Sequence, residues 1–303
     1  MDEYHVPVLL KETVGYLITD KRGVYADLTA GSFGHSREIL LHLEDEARLF
    51  SFDQDAEAGG NQLADERVTF INANFRFLSR FLKMHGIEKI HGITADLGIS
   101  SHQLEEPSYG ISMRNLEGPL DMRMSKKAEL TAEIILNSYP EEKLADLFFQ
   151  YGELRGSRKL ARQVVDFRKD KPLRLVGDLI AAVDPVLNGR NRNRELAQLS
   201  QSIRIEVNGE LDALKEVLEQ SVDLLHPGGR LTVLSYHSLE DRLVKNFIRS
   251  GTFDGNVETD LFGRSEVPFK RVVTKAIKPS DTEVRRNPRS RSARLRIGER
   301  KAN

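Results

Sequence analysis

The chain has no cysteine and no tryptophan in 303 residues. The first absence excludes a disulfide framework, a thiol nucleophile, a cysteine-ligated zinc site and an iron–sulfur cluster together. Long apolar runs are missing as well: no stretch approaches the ~18 uncharged residues of a membrane span. The first residues, Met1-Asp-Glu-Tyr-His5, have neither the basic start and apolar run of a secretory leader nor the Arg/Ser richness of a transit peptide. The expectation is a soluble cytoplasmic protein without a membrane partner. What is present suffices for a core, since 39% of residues are hydrophobic against 30% charged, which rules out a wholly disordered chain. The length allows one large domain or two modest ones.

The net charge of −1 hides an asymmetry. Residues 264–303 carry 13 Lys/Arg and 4 Asp/Glu, a net of +9, which leaves −10 for residues 1–263. A second basic stretch, Arg155 to Arg174, has 8 Lys/Arg against 2 Asp. A strongly basic tail on a near-neutral chain points to a polyanionic partner, with a merely solvated tail as the plainer reading.

The first hundred residues alternate short apolar runs with helical patterns. Strands are expected at Val24–Leu28, Arg48–Asp53, Val68–Ile71 and Ile90–Leu97, with helices following near Ile39–Leu43, Asp55–Leu63 and Phe75–Met84. That rhythm implies right-handed crossovers and a parallel sheet. It then stops. Residues 98–126 read as loop, and helical periodicity without a convincing strand fills Glu129 to Val207, as at Glu141–Gln150 and Arg158–Arg168. A helix over Asn208–Leu225 ends at a stop and turn, His226-Pro-Gly-Gly229. Strands return at Arg230–Tyr236, Phe269–Val273 and Ala293–Ile297. The expected architecture is an α/β domain of 1–108 with 208–303, interrupted by a helical insertion of 109–207.

The loop after the first strand, Asp27-Leu-Thr-Ala-Gly-Ser-Phe-Gly-His-Ser36, sits where open parallel sheets bind ligands. It is not the Gly-x-Gly-x-x-Gly of a dinucleotide site, which weighs against a nucleotide-dependent oxidoreductase. One glycine pair, Gly31 and Gly34, behind an acidic strand end fits S-adenosylmethionine better, a ligand with no pyrophosphate to cradle. Asp53 ends the second strand, where an acid accepts hydrogen bonds from ribose hydroxyls; Asp55 is the better helix-capping residue. Asp96 ends the fourth strand, bordering the pocket. Ser238-Leu-Glu-Asp241 reads as a capping box, Ser238 capping and Asp241 reaching back, with Arg242 left to face a substrate and His237 open between a satisfied loop histidine and a substrate contact. The 8 histidines are scattered without ligand spacing, so no metal is expected.

Several segments then occur in order: His5-Val-Pro-Val-Leu-Leu-Lys-Glu12, Asp27–Ser36, Asp96-Leu-Gly-Ile-Ser-Ser-His-Gln-Leu104, Gly118-Pro-Leu-Asp-Met-Arg-Met124, Tyr151-Gly-Glu153, Arg204-Ile-Glu-Val-Asn-Gly-Glu-Leu211, Pro227-Gly-Gly-Arg-Leu231 and Ser235-Tyr-His-Ser-Leu-Glu-Asp-Arg242. Together they resemble the bacterial small-subunit ribosomal RNA cytosine-N4 methyltransferase family over nearly the whole chain. The resemblance implies a class I S-adenosylmethionine-dependent methyltransferase fold with an inserted helical domain. It implies S-adenosyl-L-methionine as methyl donor and, as acceptor, a cytosine in the decoding region of 16S ribosomal RNA within the small ribosomal subunit; a homodimer is left open. By motif, donor contacts fall on Phe33, Gly34, His35, Asp53, Phe75, Asp96 and Gln103, with Asp96 also catalytic. Three segments depart from the family pattern: Phe33-Gly34 stands for Gly-Gly, Tyr109-Gly-Ile-Ser-Met113 for Arg-Gly-Phe-Ser-Phe, and Ala197–Ile205 for Ala-Thr-Arg-x-Phe-Gln-Ala-Leu-Arg-Ile. The rival function is a non-catalytic RNA-binding or ribosome-assembly factor that keeps the fold, and it need not bind the donor at all.

Overall fold

The computed structural model describes residues 7–257 and 267–302. His5 and Val6, and the start of the basic tail at Arg264, lie outside the described residues. In chain order, α1 (Leu10–Leu17) precedes β1 (Val24–Asp27), α2 (Gly34–Leu41), β2 (Arg48–Phe52), β3 (Val68–Ile71), α3 (Leu78–Met84) and β4 (Ile90–Asp96). Then come α4 (Ser101–Glu105), α5 (Ala132–Ser138), α6 (Glu141–Gln150), α7 (Ser157–Asp170), α8 (Val176–Val183), α9 (Arg192–Asn208) and α10 (Glu210–Leu224). The chain closes with β5 (Leu225–Ser235), α11 (Ser238–Ser250), β6 (Phe269–Arg271), α12 (Asp281–Arg286) and β7 (Arg294–Arg300). It divides into two compact units, Met1–Gly98 with Leu211–Asn303, and Ile99–Glu210.

The first unit is built on one seven-stranded sheet of order β3-β2-β1-β4-β5-β7-β6. β1 pairs in parallel with both β2 and β4, and β4 in parallel with β5, while β7 runs antiparallel to β5 and β6. The chain leaves β1 toward β2 and later returns to its other flank as β4. That reversal opens a crevice at the carboxyl ends of β1 and β4, the switch point of an open α/β sheet. Both faces are covered, which is why its strands are continuous apolar runs rather than alternating ones. Phe50, Phe52, Ile93, Leu231 and Val233 pack with Leu214, Leu218, Val244 and Phe247 from α10 and α11. Tyr25 and Leu49 pack with Val14, Leu17, Ile39 and Leu40 from α1 and α2.

The second unit is helical around Phe148, Leu160, Val164, Leu179, Leu199 and Ile203. Its first boundary falls at Gly98 rather than after residue 108, because Ile99 and Leu104 already pack against this helical core. Two of the segments that carried the resemblance are clasps here. Asp121 accepts from Arg123 Nε at 2.8 Å and Nη2 at 3.0 Å, and Asn208 accepts from Met124 N–H while donating to Met122 O. Arg204 and Glu210 form a buried two-bond pair at 2.8 and 2.9 Å. Half of the basic stretch Arg155 to Arg174 has partners inside this unit: Arg162 faces Glu141, Lys169 faces Asp166, Lys171 faces Asp178, and Arg168 donates to Leu136 O.

Four local readings need correction. The segment after β2 is a 3-10 helix, Ala56–Asn61, because paired Gly59-Gly60 weakens an α-helix there. Asn208 ends α9, and Gly209 at φ 58° breaks the chain before α10 starts at Glu210. The Pro-Gly-Gly segment is a bulge rather than a free turn: β5 already pairs at Leu225 with Ile90, and the register shifts before Arg230 meets Gly92. At α11 the N-cap is His237, and Glu240 rather than Asp241 reaches back, accepting from the N–H groups of Tyr236 and His237. Asp241 instead binds Arg296 at 2.6 Å and Arg294 at 3.1 Å across to β7.

Candidate functional site

β1 delivers Asp27, 1% exposed, to the crevice edge. Its Oδ2 accepts from Ser36 Oγ at 2.6 Å and its Oδ1 from Thr29 N–H at 3.2 Å. Burial pushes this carboxyl up, against the pull of the His35 ring, Ser36 and Thr29. Asp27 therefore shapes the turn and ties it to α2. From that turn Ala30 N–H reaches Phe52 O, and Thr29 Oγ1 accepts from Asp96 N–H at 2.7 Å. The carboxyl ends of β1, β2 and β4 are thus bound into one rim.

Gly31, at φ 49°, donates its N–H to Asp53 Oδ2 at 2.8 Å. Asp53 Oδ1 accepts from Asp55 N–H at 2.9 Å, and Asp55 itself caps the following 3-10 helix through Glu57 N–H, as its spacing predicts. Burial pushes Asp53 up to about 6, with the charges of Asp55 and Asp27 adding and the Asp55 and Gly31 N–H groups opposing. A carboxylate crowded this way gains from further hydrogen-bond donors, such as a vicinal diol supplies.

Phe33 lies in the left-handed region at φ 61°, and its ring is fully buried, 5.4 Å from that of Phe70. The bulk that replaces the family's glycine is thus turned into the core. Gly34 opens α2 beneath Pro7; a Cβ there would stand 2.2 Å from Pro7 Cγ, so the close approach requires glycine. His35 is 5% exposed, with Nδ1 3.8 Å from Asp96 Oδ2 and a buried Nε2 that has no hydrogen-bond partner among the described residues.

Asp96 ends β4 with 24% of its side chain exposed, enough for a ligand to reach. Its Oδ1 accepts from the Tyr236 hydroxyl at 2.8 Å. Burial pushes the Asp96 carboxyl up, His35 and Tyr236 pull it down, and Asp27 and Glu240 push with burial. Phe75 starts the 3-10 turn beyond β3, where Asn74 caps by accepting from Arg76 N–H, and its ring is partly buried against the sheet core.

His35, Asp53 and Asp96 thus meet around the β1 turn, with Phe75 beyond the next strand and Phe33 withdrawn. Gln103 belongs to the second unit, where it completes a capping box with Ser100 at 3.1 and 3.2 Å. His237 is the largely buried N-cap residue of α11, 3.1 Å from Glu240, and neither of its ring nitrogens has a hydrogen-bond partner among the described residues, so the geometry does not make it a satisfied loop histidine. Reading the sequence missed Tyr236 and Thr29 as members of the site. A usable signal existed for Tyr236: it is the first residue beyond β5, the strand beside β4, so the reasoning that selects Asp96 selects it too.

The tail is positioned by β7. Because β7 is antiparallel and Arg294 pairs with Ser235, the residues before it lie at the carboxyl edge of β5. There Arg285, Arg286, Arg289 and Arg291 are exposed. Arg294 and Arg296 are held by Asp241, and Arg300 donates to Val222 O, so part of the tail's charge is structural.

The family model described as the MraW methylase family matches residues 2–301. Proteins named ribosomal RNA small subunit methyltransferase H are similar over nearly full length: one from Bacteroides thetaiotaomicron at 49% identity, covering 98% of each chain, and one from Flavobacterium johnsoniae at 51%, again covering 98% of each. A third, from Flavobacterium psychrophilum, is 51% identical and covers 97% of this chain and 100% of its own. A solved structure titled as a putative rRNA-methylase from Clostridium thermocellum is a distant likeness, 11% identical with a TM-score of 0.44, covering 97% of this chain and 94% of that one.

Proposed function

The chain belongs to the MraW methylase family, and on that premise we propose that it methylates the exocyclic N4 amine of a cytosine in the decoding region of 16S ribosomal RNA. It is a methyltransferase that uses S-adenosyl-L-methionine, whose sulfonium supplies the methyl group. The observation that carries the reading is the set of Asp53, His35 and Asp96 around the β1 turn at the sheet's switch point. Asp53 accepts from the donor's ribose hydroxyls. The buried, unpartnered Nε2 of His35 supports a polar ligand at this rim. Gly34 lets Pro7 close onto the start of α2, Phe75 walls the adenine, and Phe33 shapes the loop from the core side; the assignment of Gly34 to the donor rests on the resemblance. The assignment of Gln103 to the donor rests on the resemblance alone.

The cytosine amine is a poor nucleophile because its lone pair is delocalised into the ring. Holding amine and methyl in line supplies much of the acceleration. Asp96 orients the amine through an N–H hydrogen bond and balances the positive charge that develops on it. The base must be unpaired or extruded to reach the rim. The relatives' names favour this reading over a non-catalytic assembly role. Mass-spectrometric mapping of ribosomal RNA from cells with and without the protein is the test: loss of one N4-methylcytidine is expected, and an unchanged level overturns the reading.

The exposed arginines at the edge of β5 bind RNA phosphates in this scheme. Replacing Arg286, Arg289 and Arg291 with Gln is expected to weaken RNA binding and to flatten the dependence of log K on log salt by about 0.7–0.9 per lost contact. Donor affinity should hold, because Asp53 and the β1 turn are untouched. Salt-series binding isotherms check this, with circular dichroism to confirm folding; an unchanged slope returns these arginines to a solvated surface.

A further inference from the structure

We propose that Tyr236 is a positioning residue for methyl transfer: by donating its hydroxyl to Asp96 Oδ1 at 2.8 Å it fixes the carboxylate so that Oδ2 is the oxygen presented to the acceptor amine. The inference rests on the reading of Asp96 as the group that meets the amine. Tyr236 itself is held from behind. Asp96 pairs with Leu234 in the β4–β5 ladder, which places Tyr236 just past the same edge, and Tyr236 N–H donates to Glu240 Oε2 at 2.9 Å, in the cap of α11. On the other side, Asp96 N–H is bound by Thr29 Oγ1. With the backbone pinned by Thr29 and one oxygen by Tyr236, rotation of the carboxylate is suppressed.

The hydroxyl also bears on charge. A neutral Asp96 could not balance a cationic amine, and burial favours the neutral form. The groups facing it are His35 on α2 and Tyr236 after β5, which favour ionisation, and Asp27 at the end of β1 and Glu240 on α11, which oppose it. Tyr236 cannot act as the base. Burial and the Asp96 charge push its hydroxyl well above the ordinary tyrosine range, so it remains a donor. Removing that donor leaves His35 alone against burial and two like charges, and the Asp96 carboxyl must move up.

The experiment compares wild type, Tyr236→Phe and Asp96→Asn. It reads the pH dependence of kcat with donor and RNA saturating, the donor Kd by calorimetry, and the carboxyl titration of Asp96 in ligand-free, 13C-aspartate-labelled protein, with the resonance assigned by its loss in Asp96→Asn. In Tyr236→Phe the carboxyl titration and the acid limb of kcat should both move up by about one pH unit, the shift expected for one lost bond to a charged group. Donor Kd should change less than about twofold, because Tyr236 is not among the donor contacts. Site-specific 3-fluorotyrosine at position 236 keeps ring and hydroxyl while strengthening the donor, so it should move both readouts down even if Tyr236→Phe folds poorly. Unshifted readouts with a slow Asp96→Asn variant overturn the Tyr236 inference alone, as does a carboxyl shift without a limb shift. Wild-type kcat in Asp96→Asn overturns the reading of Asp96, and this inference with it.

Discussion

Asp96→Asn is expected to lower kcat about 100- to 1,000-fold, the usual loss when one preorganised electrostatic partner of a transition state is removed. The substitution keeps the size of the side chain, and its carbonyl oxygen can still accept from Tyr236. What is lost is the charge at Oδ2, where an amide N–H now faces both His35 and the incoming amine. Donor affinity should fall much less, because the proposed ribose contact belongs to Asp53 at the end of β2, two strands away in the sheet. Single-turnover methylation of an RNA fragment, set beside calorimetric donor Kd, separates the two. Equal falls in rate and affinity would move Asp96 from methyl transfer to donor binding.

Asp53→Ala should weaken donor binding by about 1–3 kcal/mol, the range for charge-assisted hydrogen bonds. The same group predicts a pH dependence with opposite signs for binding and stability. Its carboxyl is pushed up to about 6, above its value in the unfolded chain. The ligand-free fold therefore gains stability from this group as pH falls through about 6 toward the ordinary aspartate range. Donor affinity moves the other way: it should be flat above neutrality and fall as pH drops through about 6, because protonation removes the charge that the ribose hydroxyls meet. Calorimetric titrations and thermal midpoints from pH 5 to 8 read both signs. Wild-type affinity in Asp53→Ala would leave Asp53 as an anchor for the Gly31 and Asp55 N–H groups and nothing more.

Most of the first unit was legible in the amino-acid sequence, and for a physical reason. Buried parallel strands are short apolar runs, and each ends where an acid or glycine marks the crevice edge. Val68–Ile71 and Glu141–Gln150 have the same bounds in sequence and structure, since a local pattern of apolar positions decides them. The same locality made Asp27, Asp53 and Asp96 visible as strand-end acids.

Sequence alone could not show which acid anchors the loop and which stays open, because that depends on atoms far apart in the chain. Asp27 is consumed by Ser36 and Thr29, whereas Asp96 meets a tyrosine 140 residues away. Phe33 falls among the donor contacts by motif, but a left-handed backbone turns its ring toward Phe70. The reach back to the start of α11 falls to Glu240, three residues after the His237 cap, while Asp241 pairs with Arg294 and Arg296 on a strand that local spacing cannot see. The tail's composition announced a basic surface, but only the antiparallel entry of β7 put Arg286, Arg289 and Arg291 at the carboxyl edge of β5 and set Arg294 and Arg296 aside for structure. Composition and periodicity, which are local, determined the layers, the sheet and the strand-end acids; the pairing of side chains across strands, which is not local, decided what each of those acids is free to do.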